Sequence, residues 1–245
     1  MNSVELKKLS KTFGSRKAVD ELSLSIKSGT VFGLLGQNGA GKTTTIKMLC
    51  GLLSPSSGNA LIEGKSVLSS PQEVKKLVSI SPQETAAAKK LTAFENHEFI
   101  AEIYGAKRCD AKKKAEEMLG RFSLSDRANE KAKSLSGGMA RRLSIAMALI
   151  NEPKVLFLDE PTLGLDVRAR RDLWKVIEEL KGKMTVILTT HYLEEAEALC
   201  DEIGIMNEGK LRALGTAKEI SEKADAKNFE DAFLFFTDPQ KEEER

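Results

Sequence analysis

The residues best suited to chemistry lie in four places. Gly36 to Thr43 reads G-x-x-x-x-G-K-T, directly after the apolar run "VFGLL" and directly before a helical stretch. In that setting successive backbone N–H groups can wrap a β-phosphate, the following helix dipole favours negative charge, and Lys42 can reach the β and γ oxygens. Thr43 can offer its hydroxyl to Mg²⁺. A glycine turn with an incidental lysine would lack this strand-and-helix context. The run "VLFLDE" delivers Asp159 and Glu160 side by side at a strand end, where open α/β sheets place their ligands. Neighbours on a strand point opposite ways, so one carboxylate can hold a hydrated metal while the other orients or deprotonates an attacking water. Asp159 is assigned to the metal and Glu160 to the water. His191, after the apolar run "TVILTT", faces the same edge and reads as a γ-phosphate sensor. Finally, "SLSGGMARRLSIA" at 134–146 is a second glycine turn feeding an amphipathic helix. In a chain that already has a better phosphate loop, these residues alone leave open what the second one binds. His97 lies near no other chemical signal and reads as an ordinary surface or core histidine.

The elements that must position these groups are legible in outline. Leu22, Leu24 and Ile26 alternate with Ser23 and Ser25, the period of a half-exposed strand. Residues 3–9, 31–35 and 57–67 also read as strands, so the opening segment is expected to be largely antiparallel sheet. Residues 92–150 hold no convincing strand. They begin with a capping box, Thr92 followed by Glu95, and the first helix stops at Gly105. Beyond this helical insert, "KVLFLDE" and "KMTVILTT" flank a helical stretch at 167–181, the rhythm of parallel strands with crossover helices. A hairpin turning at Asn207, Glu208 and Gly209 follows, then a helix and an acidic tail, "DPQKEEER", expected to be disordered.

Composition removes several classes of function. The chain has 245 residues, room for a substantial core, and 38 Lys+Arg against 36 Asp+Glu give a net charge of only +2, which argues against a uniformly basic nucleic-acid surface. Cys50, Cys109 and Cys200 are odd in number and widely spaced, so neither a disulfide framework nor a zinc site is indicated. No run approaches the ~18 apolar residues of a membrane span, and the N-terminus lacks a cleavable apolar core. The chain is expected to be soluble, with any membrane role carried by a separate partner.

With these pieces in this order, the sequence resembles the ATP-binding subunit of an ABC transporter over essentially its whole length. The matching motifs are the Walker A loop "GQNGAGKT", the Q-loop "SPQE" with Gln83, the signature "LSGGM", the Walker B strand "VLFLDE", the D-loop "LGLD" with Asp166, and the switch "TTH" with His191. The resemblance implies an α/β fold: a P-loop NTPase core with a parallel sheet, an N-terminal antiparallel β subdomain and an inserted α-helical subdomain. It implies an ATPase domain at 1–225 with the insert at about 84–150, then a short C-terminal helix and tail at 226–245. ATP and Mg²⁺ are the implied ligands. Gly36, Gln37, Asn38, Gly39, Ala40, Gly41, Lys42, Thr43 and Thr44 would cradle the nucleotide, Phe13 would stack on adenine unless it is simply a core phenylalanine, and Thr43, Gln83 and Asp159 would surround the metal. Glu160 and His191 would be catalytic.

The resemblance also accounts for the second glycine turn. In such ATPases two cassettes pack head to tail, so Ser136, Gly137 and Gly138, with Asp166 beside them, would cap ATP held by a second copy. Met139 stands where the family's commonest signature has glutamine, leaving the backbone turn to carry the binding. Met139, Leu143, Met147 and Ile150 share a helix face that also reads as core packing. The stretches "PQETAAAKKLTAFENHEFIAEIYG" and "TTHYLEEAEALCDEIGIMNEGKLRALGT" are similar to the ABC-2 type exporter branch. That branch implies an integral membrane permease as a separate chain, met through residues 84–104, and a place on the cytoplasmic face of the membrane. The alternative is a soluble ABC ATPase acting on the ribosome or DNA.

Overall fold

The computed structural model describes residues 1–238. The chain opens on a long hairpin, β1 (Asn2–Phe13) and β2 (Arg16–Lys27), followed by β3 (Val31–Gly36) and α1 (Lys42–Leu49). Next come β4 (Ser57–Ile62), β5 (Lys65–Ser66), α2 (Pro71–Leu77) and β6 (Val78–Ser81). The helical insert contains α3 (Ala93–Ile103), α4 (Arg108–Arg121) and α5 (Gly137–Leu149). The chain then alternates through β7 (Val155–Asp159), α6 (Val167–Leu180), β8 (Thr185–Thr190) and α7 (Leu193–Leu199). It closes with the hairpin β9 (Glu202–Asn207) and β10 (Lys210–Gly215), then α8 (Ala217–Lys223) and α9 (Phe229–Thr237). The acidic tail beyond residue 238 lies outside the described residues.

Two sheets result. One is antiparallel, in the order β2-β1-β4-β5; the other runs β10-β9-β3-β8-β7-β6 and is parallel except for β10. Strand β3, grouped by sequence with the antiparallel opening segment, belongs instead to the centre of the parallel sheet. The reason is its burial: all six residues are buried, as expected for a strand covered on both faces. In β2 the expected alternation is seen, with Leu22, Leu24 and Ile26 inside and Ser23 and Ser25 outside. Strand β6 and helix α2 were not anticipated. Four residues, "VSIS", carry too little periodicity to be read alone, and β6 exists because it pairs with β7.

Three apolar clusters hold the layers together. One joins the antiparallel sheet to α1 and one face of the parallel sheet, through residues such as Leu22, Ile46, Ile62 and Phe157. A second, built on Leu119, Leu143, Leu158 and Leu173, packs the insert and α6 against the other face. The third seats α8 and α9 against β9 through Ile203, Ile205, Ile220 and Phe229. The capping box at Thr92 and Glu95 is present, and Gly105, at φ 90°, takes the left-handed turn that ends α3. The signature-helix stripe also packs as expected: Leu143, Met147 and Ile150 are buried, and Met139 rests against the same cluster.

Helix α7 carries a buried acid, Glu195, which accepts a hydrogen bond from the Trp174 indole at 3.3 Å while its second carboxylate oxygen has no partner. Burial pushes its carboxyl up, with the nearby Thr190 and Thr162 hydroxyls, Trp174 and Arg170 pulling the other way. A raised acid favours its protonated form in the fold. Its contribution is therefore complete below the ordinary carboxylate value and is lost as pH rises through the raised value. A Glu195→Gln chain cannot ionise there, so its Tm relative to the wild type should improve as pH rises across the range above the ordinary carboxylate value. A difference that stays constant across that range in thermal melts would reject this account.

Candidate functional site

The register of the parallel sheet decides which residues meet. Asp159 pairs with Thr189, and Leu35 with Thr190, so the carboxyl ends of β3, β7 and β8 finish at one edge. The phosphate-type loop leaves this edge from Gly36 and returns as α1. Two of its glycines are dictated by space: a Cβ on Gly36 would collide with the Met206 carbonyl, and one on Gly41 with the Ala18 carbonyl. Gly41 also has φ 107°, in the region that favours glycine, and it opens α1 without a side-chain cap. The first N–H groups of that helix therefore point to the loop's concave side without a capping partner.

Lys42 is folded over the loop, its ammonium donating to the Gly36 carbonyl at 2.7 Å and the Gln37 carbonyl at 3.1 Å. Burial lowers its pKa, while Glu160 and Asp159 oppose that shift. Asp159 is 4% exposed and accepts from two hydroxyls on one oxygen, Thr43 at 3.1 Å and Thr189 at 2.6 Å. Both of the carboxylate's hydroxyl partners come from neighbouring elements, which ties α1 and β8 to the end of β7.

Glu160 departs from the strand reading in one respect. Strand β7 ends at Asp159, and Glu160 adopts φ 47°, so a left-handed turn rather than strand alternation separates the two carboxylates. The turn is held by the Glu160 N–H, which donates to the Thr189 carbonyl at 3.1 Å and hydroxyl at 3.0 Å. One Glu160 oxygen lies 3.9 Å from the Lys42 ammonium and 3.5 Å from His191 Nδ1; the other accepts from the Gln83 amide at 3.3 Å. His191 Nδ1 makes no hydrogen bond, and the imidazole is steadied instead by Tyr192, with ring centroids 4.2 Å apart. Arg170 lies over the Tyr192 ring at 5.7 Å.

These groups line a cleft of about 600 Å³. Of the residues expected at the nucleotide, it gathers Phe13, the loop from Asn38 to Thr44, Gln83, Glu160 and His191; Gly36, Gln37 and Asp159 do not line it but are bonded to residues that do, the first two to Lys42 and the third to Thr43. Phe13 is half exposed at its mouth, which removes the alternative of a buried core phenylalanine, and Lys11 lies 5.3 Å from its ring centre. The remaining site residues are elsewhere. Ser136, Gly137, Gly138 and Asp166 line a second, separate cleft of about 280 Å³, which has no lining residue in common with the first. Ser136 and Asp166 cap α5 and α6 by accepting from Met139 N–H at 3.3 Å and Ala169 N–H at 2.8 Å. A Cβ on Gly137 would meet nothing within 4 Å, so this turn is open to an incoming group. His97 is buried and bonded to the Ala93 carbonyl, which decides between the surface and core placements its context left open.

Sequence reading missed Arg16 and Leu163, which line the first cleft, and Thr189 and Arg141, which hold the carboxylate ridge from behind. Thr189 is one of three threonines in β8, with Thr185 and Thr190, and only the strand register gives it a role. The fit to Mg²⁺ rests on donor type: a hydroxyl and a carboxylate 3.1 Å apart suit a hard, oxygen-seeking cation that draws its other ligands from phosphate and water. Among the described residues no group of three or more His, Cys, Asp or Glu offers an all-protein metal cage. The loop's packing yields a direct test. Gly41→Ala should cost roughly 1–3 kcal/mol of stability through strain and overlap, and should weaken ATP binding measured by fluorescence titration. Wild-type affinity and Tm would refute the cradle geometry.

Comparison with known proteins gives the family. The family model described as ABC transporter matches residues 19–163. The linearmycin resistance ATP-binding protein LnrL of Bacillus subtilis is 41% identical over 218 residues, covering 89% of this chain and 70% of that protein. The daunorubicin/doxorubicin resistance ATP-binding protein DrrA of Streptomyces peucetius is 40% identical over 219 residues, covering 89% of this chain and 66% of that protein. A solved ATP-binding subunit of an ABC transporter aligns with TM-score 0.85 at 28% identity, over 95% of this chain and 98% of that one. The cbiO1 protein of Clostridium perfringens, described as part of the ABC transporter complex cbiONQ, aligns with TM-score 0.82 at 27% identity, over 91% of each chain. The phosphate loop, the carboxylate ridge and these likenesses lead to one conclusion: the chain belongs to the ABC transporter family, as an ATP-binding subunit whose ATPase activity is coupled to transport.

Proposed function

We propose that this chain powers an ABC-2 type exporter by pairing head to tail with a second copy, each closing over ATP held by the other. The observation that carries the reading is the division of the site into two clefts. The first has a phosphate cradle, carboxylates and a histidine but no cover; the second is an open glycine turn at a helix N-terminus with no cradle of its own. Two copies in antiparallel apposition would complete both.

Within the first cleft, Lys42 exchanges its loop carbonyls for the β and γ oxygens. Thr43, Gln83 and Asp159 would hold Mg²⁺, which would neutralise phosphate charge. Glu160, held between Gln83 and His191, takes the proton of the attacking water. Its carboxylate lies among one cation, one amide and one imidazole, so it is oriented without being buried among apolar groups. His191 contacts the γ-phosphate, and Phe13 stacks on adenine, which needs only an exposed ring face. Ser136, Gly137 and Gly138 donate to the γ-phosphate on the second copy, with Met139 packed on the core and adding no polar contact. ATP then acts as a ligand with higher affinity for the closed pair, and hydrolysis removes that preference.

The exporter assignment rests on relatives named for drug resistance, LnrL and DrrA. Such an assignment requires a permease, because among the described residues no helix is long and apolar enough to cross a membrane. Transporter relatives favour this over a soluble ATPase working on the ribosome or DNA. The permease would be met through residues 84–104, placing the chain at the cytoplasmic face of the membrane. Within that stretch α3 exposes Phe99 and Ile103, with exposed Tyr104 just after it.

Two experiments test the proposal. Glu160→Gln should bind ATP while hydrolysing it at least 100-fold more slowly, on the scale of losing a general base, and light scattering with Mg-ATP should find a dimer that is absent without nucleotide. Sustained hydrolysis by this variant would remove Glu160 from the mechanism. Phe99→Glu with Ile103→Glu should abolish recovery of the chain with a polytopic membrane protein while leaving ATP affinity unchanged; undiminished recovery would move the permease contact elsewhere.

A further inference from the structure

Arg141 lies on α5, just over one turn beyond the Ser136 cap, and is 5% exposed. Its guanidinium is directed entirely at backbone carbonyls. Nε donates to Pro161 at 2.8 Å, Nη2 to Asp159 at 2.7 Å, and Nη1 to Pro82 and to Gln83, the last at 3.3 Å. Those carbonyls bracket the two residues that face each other across the first cleft: Asp159 and Pro161 flank Glu160, while Pro82 and Gln83 carry the amide that bonds it. Arg141 itself lines neither cleft. A planar fork with five donors can hold carbonyls on two separate segments at once, which a lysine ammonium on a flexible stem cannot. Burial lowers its pKa to about 10, so it remains a cation near neutral pH.

We propose that Arg141 is a positioning residue that fixes the Gln83–Glu160 pair and couples the two clefts. The helix that carries it begins with Ser136, Gly137 and Gly138. When the second cleft closes over the other copy's nucleotide, a shift of α5 is passed through the guanidinium to the loops that aim Gln83 and Glu160. The chain thereby senses, at its own hydrolytic site, whether its signature turn is engaged. This inference rests on the hydrolytic reading of Glu160, and it extends that reading to a residue outside the cleft.

The neighbouring buried pair Ser81–Ser144, with hydroxyls 2.9 Å apart, supplies a control. It joins the same helix to the same strand end but touches neither Glu160 nor the Gln83 carbonyl. Four full-length chains, wild type, Arg141→Lys, Arg141→Gln and Ser144→Ala, are compared by steady-state ATPase assay, fluorescent ATP-analogue titration without Mg²⁺, thermal melting and hydrogen–deuterium exchange. Arg141→Lys and Arg141→Gln should lower kcat by on the order of 10 to 100-fold, the cost of a small misplacement of catalytic groups. Nucleotide affinity should stay within about twofold, because binding and chemistry are separable in such a variant. Exchange should quicken at 82–85 and 160–165. Ser144→Ala should lower Tm while keeping kcat.

Wild-type turnover in both Arg141 variants would overturn the proposal. So would a loss of kcat that merely follows Tm as it does in Ser144→Ala, or failure of both variants to fold, since either would assign the guanidinium to stability alone. If Glu160→Gln hydrolyses ATP normally, the fault lies with the hydrolytic reading. If Glu160→Gln is inactive and the Arg141 variants are not, only the positioning role fails.

Discussion

Asp159 is a carboxylate at the end of a fully buried strand, and the site is built around satisfying it. An ionised carboxylate removed from water costs several kcal/mol unless it is paired or hydrogen-bonded. Here Thr43 from α1 and Thr189 from β8 share one of its oxygens, and its backbone carbonyl is taken by Arg141 from α5. Three elements from different parts of the chain are thereby fixed to the end of β7. The same contacts place the phosphate loop, the Glu160 turn and the His191 strand within reach of one another.

This arrangement explains why the two carboxylates behave differently although they are adjacent. Asp159 continues the strand and points into the hydroxyl pair. Glu160 leaves it through a left-handed turn held by Thr189, and its side chain reaches the cleft where Lys42, Gln83 and His191 converge. A non-glycine residue at positive φ carries strain, and such strain persists where the surroundings over-determine it. The double hydrogen bond from the Glu160 N–H to Thr189 supplies that constraint. The turn carries the Glu160 side chain from the strand end to the lining of the first cleft.

The phosphate loop was legible because a positive-φ glycine, a lysine and a hydroxyl at fixed spacing admit few other uses, and the structure adds that Gly36 and Gly41 are also required by the Met206 and Ala18 carbonyls. The capping box at Thr92 and Glu95 and the alternation through Leu22, Leu24 and Ile26 were legible for the same reason: each is a local pattern with a local cause. The assignment of β3 to the antiparallel segment failed because a short, uniformly apolar run fits either kind of sheet, and only pairing distinguishes them. Strand β6 escaped notice since its four residues gain their identity from β7. Arg141, one of several basic residues in the sequence, became distinctive only when its carbonyl partners were brought around it.

The sequence by itself determined the inventory: one complete phosphate loop, an acidic pair after an apolar strand, a histidine after another, and a second glycine turn with no cradle of its own. These are local, because a glycine loop, a helix cap and an apolar run depend on residues within a few positions. Tertiary structure decided which of them meet. The parallel register set Asp159 beside Thr189, the left-handed turn separated Glu160 from Asp159, and the packing of α5 kept the signature turn in a cleft apart from the nucleotide loop. Those relations depend on strand pairing and buried hydrogen bonds between residues far apart in the chain, information that exists only once the chain has closed on itself.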